Sequence, residues 1–265
     1  MGSFAENPAA ESGAGALVRS LPLRDRFIIL SALGIVILLA WIYLLKMPGM
    51  AMAEPVWTAD YFVAMFLMWG MMMVGMMVPS AIPTVLIHAA VSRKAASASG
   101  SFAPTTVFVS GYILVWGLFS VGATLAQFAL DRAALLSPMM TTNSRALGGL
   151  LLLAAGLYQL TPLKDECLRH CRSPVHFIAR GWRPGYLGAM RLGVMHGAYC
   201  LGCCWILMGL LFFGGVMSIW WIGGLTLFVL LEKVIPFGRQ GGRVAGLLAT
   251  AWGLFMLFSS FSAGS

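Results

Sequence analysis

The chain has 265 residues, 60% of them hydrophobic and only 10% charged, with a formal net charge of +8. Soluble domains run near ~25% charged, so water is a poor solvent for this surface and lipid a good one. The basic residues sit between apolar runs with no aromatic-interleaved stripe, which argues against nucleic acid, and no P-loop or phosphorylation domain fits, which argues against a nucleotide-driven pump.

Residues 1–23, rich in Ala, Gly, Glu and Pro, read as a disordered cytoplasmic tail. Residues 24–265 read as one all-α transmembrane bundle of about seven spans. The apolar runs are Phe27–Leu45, Asp60 to about Val91, Thr105–Leu130, Ala146–Leu160, Gly185 to about Val216, Ile219–Ile235 and Val244–Phe261. Pro79 and Pro83 in the second run each remove a helix hydrogen bond and predict a kink. Gly197 and Gly202 leave open whether the fifth run is one helix or two.

Lys and Arg cluster before run one, after run two, between runs four and five and between runs six and seven. The positive-inside rule therefore predicts a cytoplasmic N-terminus and an external C-terminus. Asp60 and Glu54 then lie at the outer entrance of the second span, where they can collect cations or sit in interfacial water.

Three motifs carry candidate chemistry. In the second run Met65, Met68, Met72 and Met76 follow helical spacing. Thioether sulfur is a soft ligand that suits Cu(I), and methionine is equally a filler of apolar cores. In the fifth run His196, Cys200 and Cys203 recur on one helical face, flanked by Cys204. Imidazole and thiolate together suit copper or zinc. At ~1.5 Å per residue, Cys200 and His196 fall level with Met65–Met72, so a shared site in the outer half of the bilayer is allowed. Between runs four and five, Cys167 and Cys171 lie one turn apart near His170 and His176. The same depth argument places them far from Cys200, as a second thiol site on the cytoplasmic side. Arg191 and Glu232 lie near the cytoplasmic ends of their spans, so an Arg191–Glu232 ion pair is expected, with Lys233 snorkelling to headgroups.

Four blocks resemble a known family: Met-Trp-Gly-Met-Met-Met…Met-Met-Val-Pro-Ser at 68–80, Pro-Leu-Lys-Asp-Glu-Cys…Cys-Arg-Ser-Pro at 162–174, Gly-Ala-Tyr-Cys-Leu-Gly-Cys-Cys-Trp at 197–205 and Leu-Glu-Lys-Val-Ile-Pro at 231–236. Together they resemble the domain-of-unknown-function family 2182, predicted metal-binding integral membrane proteins. The resemblance implies metal binding at candidates among Met68, Met72, Met76, Cys167, Cys171, His196, Cys200, Cys203, Cys204 and Glu232. It also implies a small soluble companion protein.

The expectation is a membrane protein of the bacterial inner membrane that binds or handles a soft metal, copper first and zinc second. Met68, Met72, Met76, His196, Cys200, Cys203 and Cys204 would hold it, with Asp60 near an outer entrance. Two other classes stay open. One is the membrane subunit of a copper-dependent oxidase or oxygenase acting on a small apolar substrate. The other is a thiol–disulfide relay or membrane scaffold.

Overall fold

The computed structural model describes residues 8–46, 57–100, 103–137 and 140–262; Glu54 lies outside them. The described residues form helices, with one isolated β-bridge between Leu136 and Thr142. The helices are α1 (Pro8–Ser20), α2 (Leu23–Lys46), α3 (Ala59–Ser99), α4 (Thr105–Arg132), α5 (Arg145–Gln159), α6 (Pro162–Arg172), α7 (Pro174–Gly181), α8 (Gly185–Gly209), α9 (Leu211–Gly214), α10 (Ile219–Val234) and α11 (Gly238–Ser262).

Each of the seven apolar runs is helical. By length and composition, α2, α3, α4, α8 with α9, and α11 are long and apolar enough to cross a membrane. The fourth run is shorter: α5 has 15 residues and meets α6 at a bend of 65°, and the two together pass as one broken span. The sixth, α10, has 16 residues. Side-chain caps start several helices. Thr58 accepts from Tyr61 N, Ser144 from Leu147 N, Thr161 from Lys164 N and Ser218 from Trp221 N, satisfying amides that the first turn leaves without partners.

α1 lies in the segment whose composition predicts a disordered tail. It is ordered because Leu17 and the buried Leu21 find apolar partners in Ala89 and Ala90 of α3. α3 runs unbroken through both prolines. Pro79 has no N–H for the carbonyl of Gly75, four residues back. The indole Nε1 of Trp41 in α2 donates to that carbonyl at 3.3 Å, which keeps the freed acceptor satisfied. α8 likewise runs unbroken through Gly197 and Gly202 and ends at Gly209, with Leu210 as its C-cap.

Close helix crossings set the core. α4 packs along α8 where glycines admit the neighbouring backbone: a Cβ on Gly193 would overlap the Phe108 carbonyl oxygen, and one on Gly111 would lie 2.6 Å from the Met190 carbonyl oxygen. α5 and α11 meet the same way through Gly149, Gly156, Gly246 and Gly253. Small residues at such crossings let membrane helices approach closely. The outward faces carry Leu38, Leu118, Trp220, Leu248 and Phe258, all exposed, whereas Met68, Trp69, Met72, Met73, Met76 and Met77 are buried.

Candidate metal centre

α6 folds back along α8 instead of running off into a loop. Tyr158 near the end of α5 donates to the Gly202 carbonyl. Gly202 is bare on the side facing α6, and a Cβ there would lie 2.8 Å from the Cys167 sulfur. Cys171, one turn on, stands within hydrogen-bonding reach of Cys200 and Cys203. The two cysteine groups, expected far apart, therefore form one cluster of five. The depth estimate failed because the 65° bend returns the connecting segment to the bundle. It failed also because α3, at 41 residues, rises ~61 Å, about twice a ~30 Å hydrocarbon core. Counting residues from a membrane face does not set levels on so long a helix.

Within the cluster, Cys200 (1% exposed) holds the centre. Its Sγ lies 3.1 Å from the Tyr112 hydroxyl of α4 and 2.9 Å from Nζ of Lys233 of α10. The Tyr112 hydroxyl also donates to the Met77 carbonyl at 3.1 Å. Lys233 donates as well to Ser80 Oγ at 3.1 Å. Cys203 and Cys204 turn their thiols back to the Cys200 carbonyl, each at 3.0 Å. Cys204 also lies 3.9 Å from the Met77 thioether. The methionine at the thiols is thus Met77. Met68, Met72 and Met76 are buried in α3, with Met68 and Met72 one to two turns or more toward its N-terminus.

His196, one turn before Cys200, is buried and stacks with Tyr112 and Phe108, ring centroids 5.4 and 5.9 Å apart. Phe108 stacks in turn on His88 at 4.5 Å. His170 on α6 stacks on Tyr199 at 4.0 Å. Asp60 is exposed in the first turn of α3, remote from the thiols by its position on the helix.

The expected Arg191–Glu232 pair is corrected. Glu232 (5% exposed) pairs with Lys164 of α6 (1% exposed) at 2.7 Å, and Arg191 is exposed. Gln159 joins both: its Nε2 donates to Glu232 at 3.1 Å and its Oε1 accepts from Lys164. Arg172 donates to the Glu232 carbonyl at 3.1 Å and to the Pro236 carbonyl at 3.0 Å. This knot pins α6 to α10 and so holds Cys167 and Cys171 against α8. Lys233 is corrected too: it turns inward to Cys200 instead of snorkelling outward. One signal could have found it. Adjacent residues on a helix point ~100° apart, so Lys233 could not share the partners of Glu232 and needed an acceptor of its own.

Among the described residues, no group of three or more His, Cys, Asp or Glu side chains is placed to hold a metal ion. The thiols of Cys203 and Cys204 are turned to a backbone carbonyl, and a rotation about χ1 redirects each. The donor set is soft throughout, thiols with one thioether, and matches monovalent copper better than any hard cation.

The family described as copper chaperone (PpoB2) matches residues 66–256. That stretch runs from the methionine stripe of α3 into the last third of α11 and takes in all five cysteines, Lys164, Glu232 and Lys233. No curated protein and no solved structure matches the chain. The chain belongs to this copper-chaperone family.

Proposed function

We propose that this member of a copper-chaperone family is an integral membrane protein that takes up Cu(I) as cargo at the thiol cluster and hands it on. The observation that carries the reading is the meeting of Cys171, Cys200 and Cys203 around the buried ammonium of Lys233. A buried charge is costly unless paired, and Cys200 Sγ is the sulfur its ammonium faces. Thiolate is the form that binds metal. Two thiolates and one Cu(I) carry a net charge of −1, and Lys233 neutralises it. With a divalent ion the same set would be left with a buried positive charge. This balance favours Cu(I) over zinc. Met77 supplies a thioether beside Cys204, and the aromatic wall of Tyr112, Phe108 and His196 keeps the site dry.

The finer resemblance to family 2182 belongs to the same reading. So do about seven crossings, a cytoplasmic N-terminus, the bacterial inner membrane, a single transmembrane domain over 24–265 and a small soluble companion that receives or delivers the metal. No specific contact favours the oxygenase or disulfide-relay alternatives. Anaerobic Cu(I) titration of the full chain against a chromophoric chelator tests the proposal. One tightly held Cu(I) with a sulfur shell by X-ray absorption is expected. Its survival in the Cys200→Ser/Cys203→Ser variant would sink the assignment.

A further inference from the structure

Toward the N-terminal end of α3 a second group of sulfurs converges. Gln127 of α4 is 1% exposed. Its Oε1 accepts from the Trp69 indole at 2.8 Å. Indole only donates, so this bond fixes the amide and turns Nε2 the other way. Nε2 there meets two thioethers, Met65 Sδ at 3.3 Å and Met140 Sδ at 3.2 Å. Thioether sulfur is a weak hydrogen-bond acceptor, and a buried amide ordinarily demands stronger ones. The two sulfurs come from distant parts of the chain and direct lone pairs at one partly positive nitrogen. A soft monovalent cation makes the same contacts more strongly.

The backbone has been shaped to deliver one of them. Met140 has φ 55°, a left-handed conformation that non-glycine residues rarely adopt. It is held there by bonds to the segment after α8: Thr142 N donates to the Phe212 carbonyl at 2.8 Å and Val216 N to the Met140 carbonyl at 3.5 Å. Asp131, one turn beyond Gln127, accepts from Trp57 at 2.7 Å, and Asp60 is exposed in the first turn of the antiparallel α3. Carboxylates at this mouth attract cations. From Met65 the buried Met68, Met72 and Met76 continue along α3 at helical spacing toward Met77 and Cys204, ~18 Å away by helical rise.

We propose that Met65 and Met140, gated by Gln127, form a second, thioether-only site for a monovalent soft cation, the receiving end of a path whose other end is the thiol cluster. This rests on the copper reading above. Cation binding displaces the Gln127 amide from between the sulfurs, and no bond or redox state of the protein changes.

The test is Ag(I) titration of the full chain in nanodiscs by calorimetry, with X-ray absorption of the loaded protein. The wild type is expected to bind two equivalents, the weaker one thioether-bound. Met65→Leu/Met140→Leu should lose the weaker equivalent and keep the thiolate-bound one. Cys200→Ser/Cys203→Ser should do the reverse. Gln127→Met, which adds a third thioether, should tighten the weaker equivalent and guards against misfolding of the leucine variant. Unchanged stoichiometry in the leucine variant, or no tightening in Gln127→Met, would overturn the second site while leaving the thiol site intact. No Ag(I) bound by the wild type would overturn both.

Discussion

A lysine buried among sulfurs does two things at once. In the proposed site its ammonium faces the Cys200 sulfur and would offset the charge of a bis-thiolate copper complex. Both effects favour binding, so Lys233→Met is expected to weaken Cu(I) affinity by about tenfold or more, ~1.4 kcal/mol per decade. The fold should survive, since methionine is of similar length and Cys200 can keep its proton, which leaves no orphaned charge. Chelator competition at neutral pH reads the change; unaltered affinity would reduce Lys233 to a packing residue. Cys203 and Cys204 are of a different kind. Their thiols rest on the Cys200 carbonyl, and one rotation separates that resting state from a sulfur aimed at a cation.

The elements that bring these residues together are α6, α8 and α10, and their joints are polar knots and bare glycines. The Lys164–Glu232 pair is buried on both sides, so removing one partner leaves a naked charge and costs about 3–5 kcal/mol. Glu232→Gln should lower thermal stability in detergent by that order, and Lys164→Met/Glu232→Gln should recover most of it. Failure of the double variant to recover would mean that the pair does more than balance charge. At the α4–α8 crossing, Gly193→Ala must push the helices apart, because its Cβ meets backbone. A loss of about 1–3 kcal/mol or more is expected, with loosened copper binding, since Tyr112 sits one turn from Phe108 and Cys200 two turns from Gly193. The sequence marked α8 and α10, because apolar runs of this length have few other uses, but not α6, a charged stretch between runs four and five. It did not mark their joints. The bend between α5 and α6, set by Thr161 and Pro162, is a local cap signal whose tertiary result is that Cys171 reaches Cys200. Periodicity reports a face and says nothing of what that face meets. For the same reason Met68 and Met72 looked like partners of Cys200, whereas the neighbouring Met77 is the one that meets the cysteines.

For the whole molecule, exposed leucines, phenylalanines and tryptophans on the outer helices and buried polar groups within are the pattern that a lipid solvent favours. Five helices qualify as spans alone and the bent pair α5–α6 as a sixth; the proposed topology takes the 16-residue α10 as a further crossing. With the N-terminus in the cytoplasm, alkaline phosphatase fused after Ser137 or at the C-terminus should be active, and fused after Gly100 or Arg183 inactive. Activity in the reverse pattern would invert the proposed topology and, with it, the direction of the proposed copper path. The central claim is that the five-cysteine cluster holds copper. Elemental analysis of protein purified gently from its native membrane without chelators tests it most directly. Copper near one equivalent per chain, lost in Cys200→Ser/Cys203→Ser while the folded protein is retained, is the predicted result. Copper unchanged in that variant, or absent from the intact protein, would contradict it.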